Sequence, residues 1–126
     1  MKSRDAAIKL MRFEADEKAR KVADLEYMIR EFEQMATDLD RQIQTEEERT
    51  GVKDLGHFAY STFAKAAAQR RNNLRASVAD LQAKLENAVR ERDAALMDLD
   101  RAETPDPRDQ ERARPKLERA QAVPMR

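Results

Sequence analysis

The sequence predicts an all-α fold, a long antiparallel two-helix coiled-coil hairpin followed by a disordered C-terminal tail, and three observations lead there. Apolar residues recur in steps of three and four along two separate stretches, the spacing of a helical seam. Both glycines, the only histidine and three of the six aromatic residues crowd into "TGVKDLGHFAYSTF", residues 50–63, between those stretches. The charge gradients along the two stretches also run in opposite senses. With 40% charged residues and no Trp or Cys among 126 residues, there is little material for a thick globular core, so a thin helical architecture is expected.

The first stretch places Ile8, Met11, Ala15, Val22, Leu25, Ile29, Phe32, Ala36, Leu39 and Ile43 on one face, with Lys18 as its interruption. No Gly or Pro precedes residue 51, so one helix is expected over about 3–48, roughly 65–70 Å long at ~1.5 Å per residue. The second series runs Tyr60, Ala64, Ala67, Leu74, Val78, Leu81, Leu85, Ala88, Ala95, Leu99 and Ala102, with Arg71 and Arg92 in the two remaining places. It predicts a helix over about 60–102, stopped by Pro105 and Pro107 in "ETPDPRD". The bend is expected over 49–59. Gly51 can end the first helix in a left-handed conformation, and Asp54, Ser61 or Thr62 can cap the second.

A helix with one apolar stripe needs a partner, and charge selects it. Residues 31–48 carry seven acids against Arg41 alone, whereas residues 55–79 carry Lys65, Arg70, Arg71 and Arg75 and no acid. At the far end, residues 2–21 hold seven bases and four acids, and residues 86–103 hold six acids and three bases. Folding the chain back sets opposite charges side by side at both ends, while a parallel homodimer of either helix sets like against like. Paired residue numbers summing to about 107 would put Lys18, Arg71 and Arg92 opposite Ala88, Ala36 and Ala15. The alternative, with each a position opposite a d position, moves the register by about three residues. Residues 103–126 contain all four prolines and few apolar residues, too little to offset the entropy of ordering, so disorder is expected there.

The same composition narrows the function. The absence of cysteine excludes a disulfide framework, a thiolate metal site and a Cys nucleophile. No apolar run approaches the ~18 residues that span a bilayer. "MKSRDAAIKLMRFEADEK" has no apolar core of a secretory signal, so a soluble intracellular protein without direct membrane insertion is expected. Twenty-five basic residues balance twenty-five acidic ones, which gives no bulk attraction to nucleic acid. The basic run "KAAAQRRNNLRA" lies beside acidic residues 31–48 in the hairpin, which cancels its field. His57 stands alone as a turn residue, and no phosphate-cradling loop or nucleophile elbow occurs. We therefore expect no enzyme activity, no cofactor, no metal, no small-molecule substrate and no nucleic acid. Leu10, Phe13, Tyr27, Met28 and Met35 lie off the strict seam. Exposed aromatic residues on a rod suggest contact with another protein, and the spare apolar residues also allow a homodimer. The candidate partner-binding residues are Phe58, Tyr60, Phe63, Arg70 and Arg71, near the bend.

The blocks "MKSRDAAIKLMRFEADEKARKVADLEYMI" and "EEERTGVKDLGHFAYSTFAKAAAQRRNNLRASVADLQAKL" resemble the short alphaproteobacterial branch of the FliJ family of flagellar type III export proteins. "HFAYSTFAKAAAQRR", residues 57–71, is the most distinctive part, and the resemblance covers roughly residues 1–100. It implies an antiparallel coiled coil similar to the central stalk of rotary ATPases. Such a protein would be a non-enzymatic adaptor that binds the flagellar export ATPase ring, the membrane export gate and export chaperones. It would work in the cytoplasm, peripherally at the inner membrane beneath the flagellum. An alternative is a hairpin regulator of RNA polymerase acting through Glu46, Glu47, Glu48 and Asp54; another is a homodimeric structural coiled coil.

Overall fold

The computed structural model describes residues 2–105, so the part of the expected disordered tail from 106 to 126 lies outside the described residues. Two helices make up the architecture, α1 (Lys2–Thr50) and α2 (Thr62–Glu103). They pack against each other in opposite directions. Ser61 meets Glu46 at the bend, while Arg4 donates to the Ala102 carbonyl oxygen at the open end. At the bend α1 runs two residues beyond its expected end, and α2 starts two residues later than expected, with Ser61 as its cap.

Every residue of both predicted seams is buried or half-buried. Ala15, Val22, Leu25, Ile29, Ala36, Leu39 and Ile43 are the buried residues of α1. In α2 they are Ala64, Ala67, Ala68, Val78, Leu81 and Ala88. The core divides in two. A central cluster joins Val22, Leu25, Ile29, Val78, Leu81 and Ala88, with Phe32, Leu85 and Val89 at its margin. A second cluster near the bend joins Leu39, Ile43, Ala64, Ala67 and Ala68, with Tyr60 and Leu74 alongside. Alanine predominates in the second cluster on the α2 side, and small side chains let the helix axes approach closely there.

Charged residues flank the seam along its length. Arg71 Nη1 lies 2.9 Å from Asp40 Oδ1, and Arg75 Nη2 lies 2.6 Å from Asp40 Oδ2. Lys18, which interrupts the α1 seam, reaches Glu91 at 3.2 Å. Arg12 reaches Glu103 at 2.9 Å. These cross-hairpin pairs join the opposed charge gradients of the two helices. The Lys18 ammonium donates to Glu91, three residues along α2 from the Ala88 level expected opposite it. Long polar stems occupy seam positions because their methylene groups cover apolar surface while the charged heads reach water.

Shortening a core side chain should cost more than removing a surface pair. Leu25→Ala or Leu81→Ala is expected to destabilise the hairpin by about 2–4 kcal/mol in chemical denaturation, through lost burial and the cavity left behind. Ala64 has no exposed surface, so Ala64→Leu is expected to destabilise it by about 1–3 kcal/mol through overpacking. Arg12→Ala, which removes an exposed pair, should shift stability by less than about 1 kcal/mol.

Candidate partner-binding site at the bend

The bend is held by local hydrogen bonds from end to end. Gly51 adopts φ +73° and its amide donates to the Glu47 carbonyl oxygen at 2.9 Å, so the helix ends in the left-handed conformation that only glycine enters freely. Thr50 Oγ1 accepts from the Val52 amide at 3.3 Å. Asp54, one of the residues that could have capped α2, instead accepts from the Gly56 amide at 3.0 Å and closes an Asx turn. The His57 amide donates to the Asp54 carbonyl oxygen and the Tyr60 amide to the His57 carbonyl oxygen, each at 3.0 Å. Ser61 is the cap: its hydroxyl oxygen accepts from the Ala64 amide at 3.2 Å and its proton goes to Glu46 Oε1 at 2.8 Å.

His57 has a structural task within this turn. Its Nδ1 accepts from the Ala59 amide at 3.0 Å, and its ring stacks on Phe58 with centroids 4.7 Å apart and planes 23° from parallel. The outer face of Phe58 has no cover, and the residue is 96% exposed. Leu55, also exposed, joins it on the loop. The loop therefore presents two apolar side chains on a backbone that its own hydrogen bonds hold in place.

The five candidate residues divide by environment. Phe58, Phe63 and Arg70 are exposed. Phe63 and Arg70 line one open groove with Leu39, Gln42, Ala66 and Ala67. Tyr60 lies before α2, in a turn, and packs on the core cluster near the bend. Burial pushes its hydroxyl pKa up, and the nearby Glu47 carboxylate adds to the rise. Arg71 is half-buried and committed to Asp40. Tyr60 and Arg71 thus hold the hairpin, and the other three face outward.

The acids of the bend diverge. Hydrogen bonds from Arg49 and then from Ser61 hold the Glu46 carboxyl at about 2, down from 4.5. Asp54 closes its turn, and Glu48 takes a bond from Gln44. Among the described residues no three His, Asp or Glu side chains gather into a metal-binding group. The Glu46–Ser61 link and the exposed Leu55 escaped the sequence reading. The first had a signal, since Glu46 falls three residues after Ile43, in phase with the seam. Leu55 had none beyond its position between the two glycines.

These features define a class of protein, a long antiparallel helical hairpin with an exposed aromatic tip. Compared with protein-family models, with curated proteins and with solved structures, the chain gave no match in any of the three.

Two outcomes follow for the bend. Ser61→Ala should cost roughly 0.5–2 kcal/mol of stability by removing the cap. Gly51→Ala meets no steric neighbour, yet should cost about 1–2 kcal/mol because an L side chain resists this φ. The pH dependence has a definite sign. The stabilisation from the Glu46 bridge is complete above the ordinary carboxyl value of 4.5 and is lost as pH falls through about 2. Circular dichroism melts between pH 5 and 2 should show a smaller acid-induced loss in Glu46→Gln than in the unmodified chain.

Proposed function

We propose that this chain is a non-enzymatic component of flagellar type III protein export, a coiled-coil stalk and adaptor. It binds the export ATPase ring and the export gate or chaperones during flagellum assembly. The resemblance of residues 57–71 to the FliJ family supplies the flagellum. The observation that carries the reading is the antiparallel hairpin itself, whose open end brings the N-terminal turn of α1 and the C-terminal turn of α2 together as one narrow two-helix end suited to entering a ring. The contact residues are Phe58, Phe63 and Arg70, with Tyr60 and Arg71 holding their scaffold. Such an adaptor works peripherally at the cytoplasmic face of the inner membrane. No helix among the described residues is long and apolar enough to cross a membrane. The RNA polymerase reading has less support, because Glu46 and Asp54 are already engaged within the bend.

The test is whether the purified chain alters the oligomerisation or ATP turnover of the export ATPase from the same cell. Stimulation is expected, together with impaired motility in a deletion strain; no change in either measurement removes the reading. Phe58→Ala should leave the melting temperature within about 1 °C, since an exposed side chain contributes little to the fold. The same variant should weaken binding to the gate or a chaperone by about tenfold or more, as expected for an exposed aromatic anchor.

A further inference from the structure

Phe58 owes its position to one imidazole. Across residues 55–60, between the Asp54 turn and the Ser61 cap, His57 is the only residue whose side chain bonds to the backbone. Its Nδ1 accepts from the Ala59 amide at 3.0 Å, and this bond closes over Phe58, the residue between them. The same ring lies against the Phe58 ring, with centroids 4.7 Å apart. The His57 amide and carbonyl oxygen are engaged too, with the Asp54 carbonyl oxygen and the Tyr60 amide. Tyr60 in turn packs on the core cluster near the bend. The path from the core to the exposed phenyl ring thus runs through His57, which ties down both the backbone and the side chain of Phe58.

The bond from Ala59 requires a bare Nδ1, so the imidazole is neutral with its proton on Nε2. An imidazolium carries two donors and no acceptor, so no rotation of the ring restores the bond once a second proton is on. Histidine is the side chain that ordinarily changes charge between about pH 5 and 8, and this one is exposed to solvent. Stacking on Phe58 survives protonation, because a cation is attracted to an aromatic face. The tie to Ala59 does not. The charged groups around the bend offer no replacement. Lys53 and Asp54 lie in the loop, Glu46, Glu47, Glu48 and Arg49 close α1, and Lys65 opens α2. Glu46 is spent on Arg49 and Ser61, Asp54 on Gly56 and Glu48 on Gln44. Among the described residues no carboxylate bridges the imidazole.

We propose that His57 is a positioning residue for Phe58 and that its charge state regulates the tip. Neutral His57 presents Phe58 on an ordered loop. Protonation frees the backbone at Ala59, so a partner must order the loop on binding, and affinity falls. Phe58 as a contact rests on the export reading, whereas the bond that orders the loop does not.

Nitrogen-15 NMR of the full chain reads the loop without any partner. At about pH 8 the ring should show a bare Nδ1 and a protonated Nε2, and the Phe58 and Ala59 amides should have order parameters near the rigid value of about 0.85. Both should fall in step with the titration of the ring itself as the pH drops to about 5. His57→Asn should keep them high throughout, because an asparagine side-chain oxygen accepts from the amide two residues on and does not titrate in this range. His57→Ala should leave them low throughout. Binding to the purified export gate over the same range gives the second reading. On acidification the unmodified chain should lose about two- to tenfold in affinity relative to His57→Asn, the worth of one hydrogen bond, and His57→Ala should be weakened at both ends. Order parameters that ignore the ring titration, or an affinity that falls equally in the unmodified chain and in His57→Asn, overturn the proposal. A gate that binds Phe58→Ala as tightly as the unmodified chain overturns the export contact, and with it the binding half of the proposal, while the order parameters still decide the loop.

Discussion

The structure depends on one constraint: each helix carries a single apolar stripe too narrow to stand in water alone, and the other helix of the same chain covers it. The constraint is strong because little else can hold the molecule. The surface ion pairs are exposed and individually weak, there is no disulfide, and each helix alone is marginal without tertiary packing. Burial of Val22, Leu25, Ile29, Val78 and Leu81 in the middle of the rod therefore supplies most of the stability. The ends, where Ile8, Met11 and Leu99 are only half-buried, are the parts most weakly held.

Charge has a different task from burial. The acidic bend half of α1 faces the basic bend half of α2, and this arrangement rejects the alternatives more than it stabilises the fold. Asp40 shows how the two tasks meet. It draws Arg71 and Arg75 across the seam beside the bend-side cluster, and ties the register to a polar contact that a slip of one heptad would break. A similar logic applies to Lys18 and Glu91, where the hydrogen bond from Lys18 lowers the Glu91 pKa.

At the bend, physical chemistry separates holding from presenting. Gly51, Asp54, His57 and Ser61 spend their polar atoms on the backbone, and Glu46 on the Ser61 cap. The consequence is a short loop whose exposed large apolar side chains are Leu55 and Phe58. Apolar side chains on a hydrogen-bonded loop bind at low entropic cost, because little ordering remains to be done when a partner arrives. That is the physical sense in which the bend suits the adaptor role proposed for this chain.

The helices, the position of the bend and the antiparallel direction were legible in the sequence. A seven-residue repeat, a glycine at a stop and a reversal of charge are local or one-dimensional patterns, and each of them survives without coordinates. Other features were decided only when the helices met. Which a position faces which d position depends on side-chain volumes across the seam, and the acid that Lys18 meets, Glu91, was fixed by the same packing. Which of Asp54, Ser61 and Thr62 caps α2 depends on the path of the loop, and that path gave the cap to Ser61 because Glu46 was there to receive its proton. Tyr60 and Arg71 could be read as partner contacts or as scaffold until the packing placed one on the core and the other on Asp40. The chain thus determined by itself that two helices would fold back on each other, because periodicity is a property of one strand of sequence. Only the tertiary structure decided their register and which bend residues remain exposed, because those depend on distances between residues far apart along it.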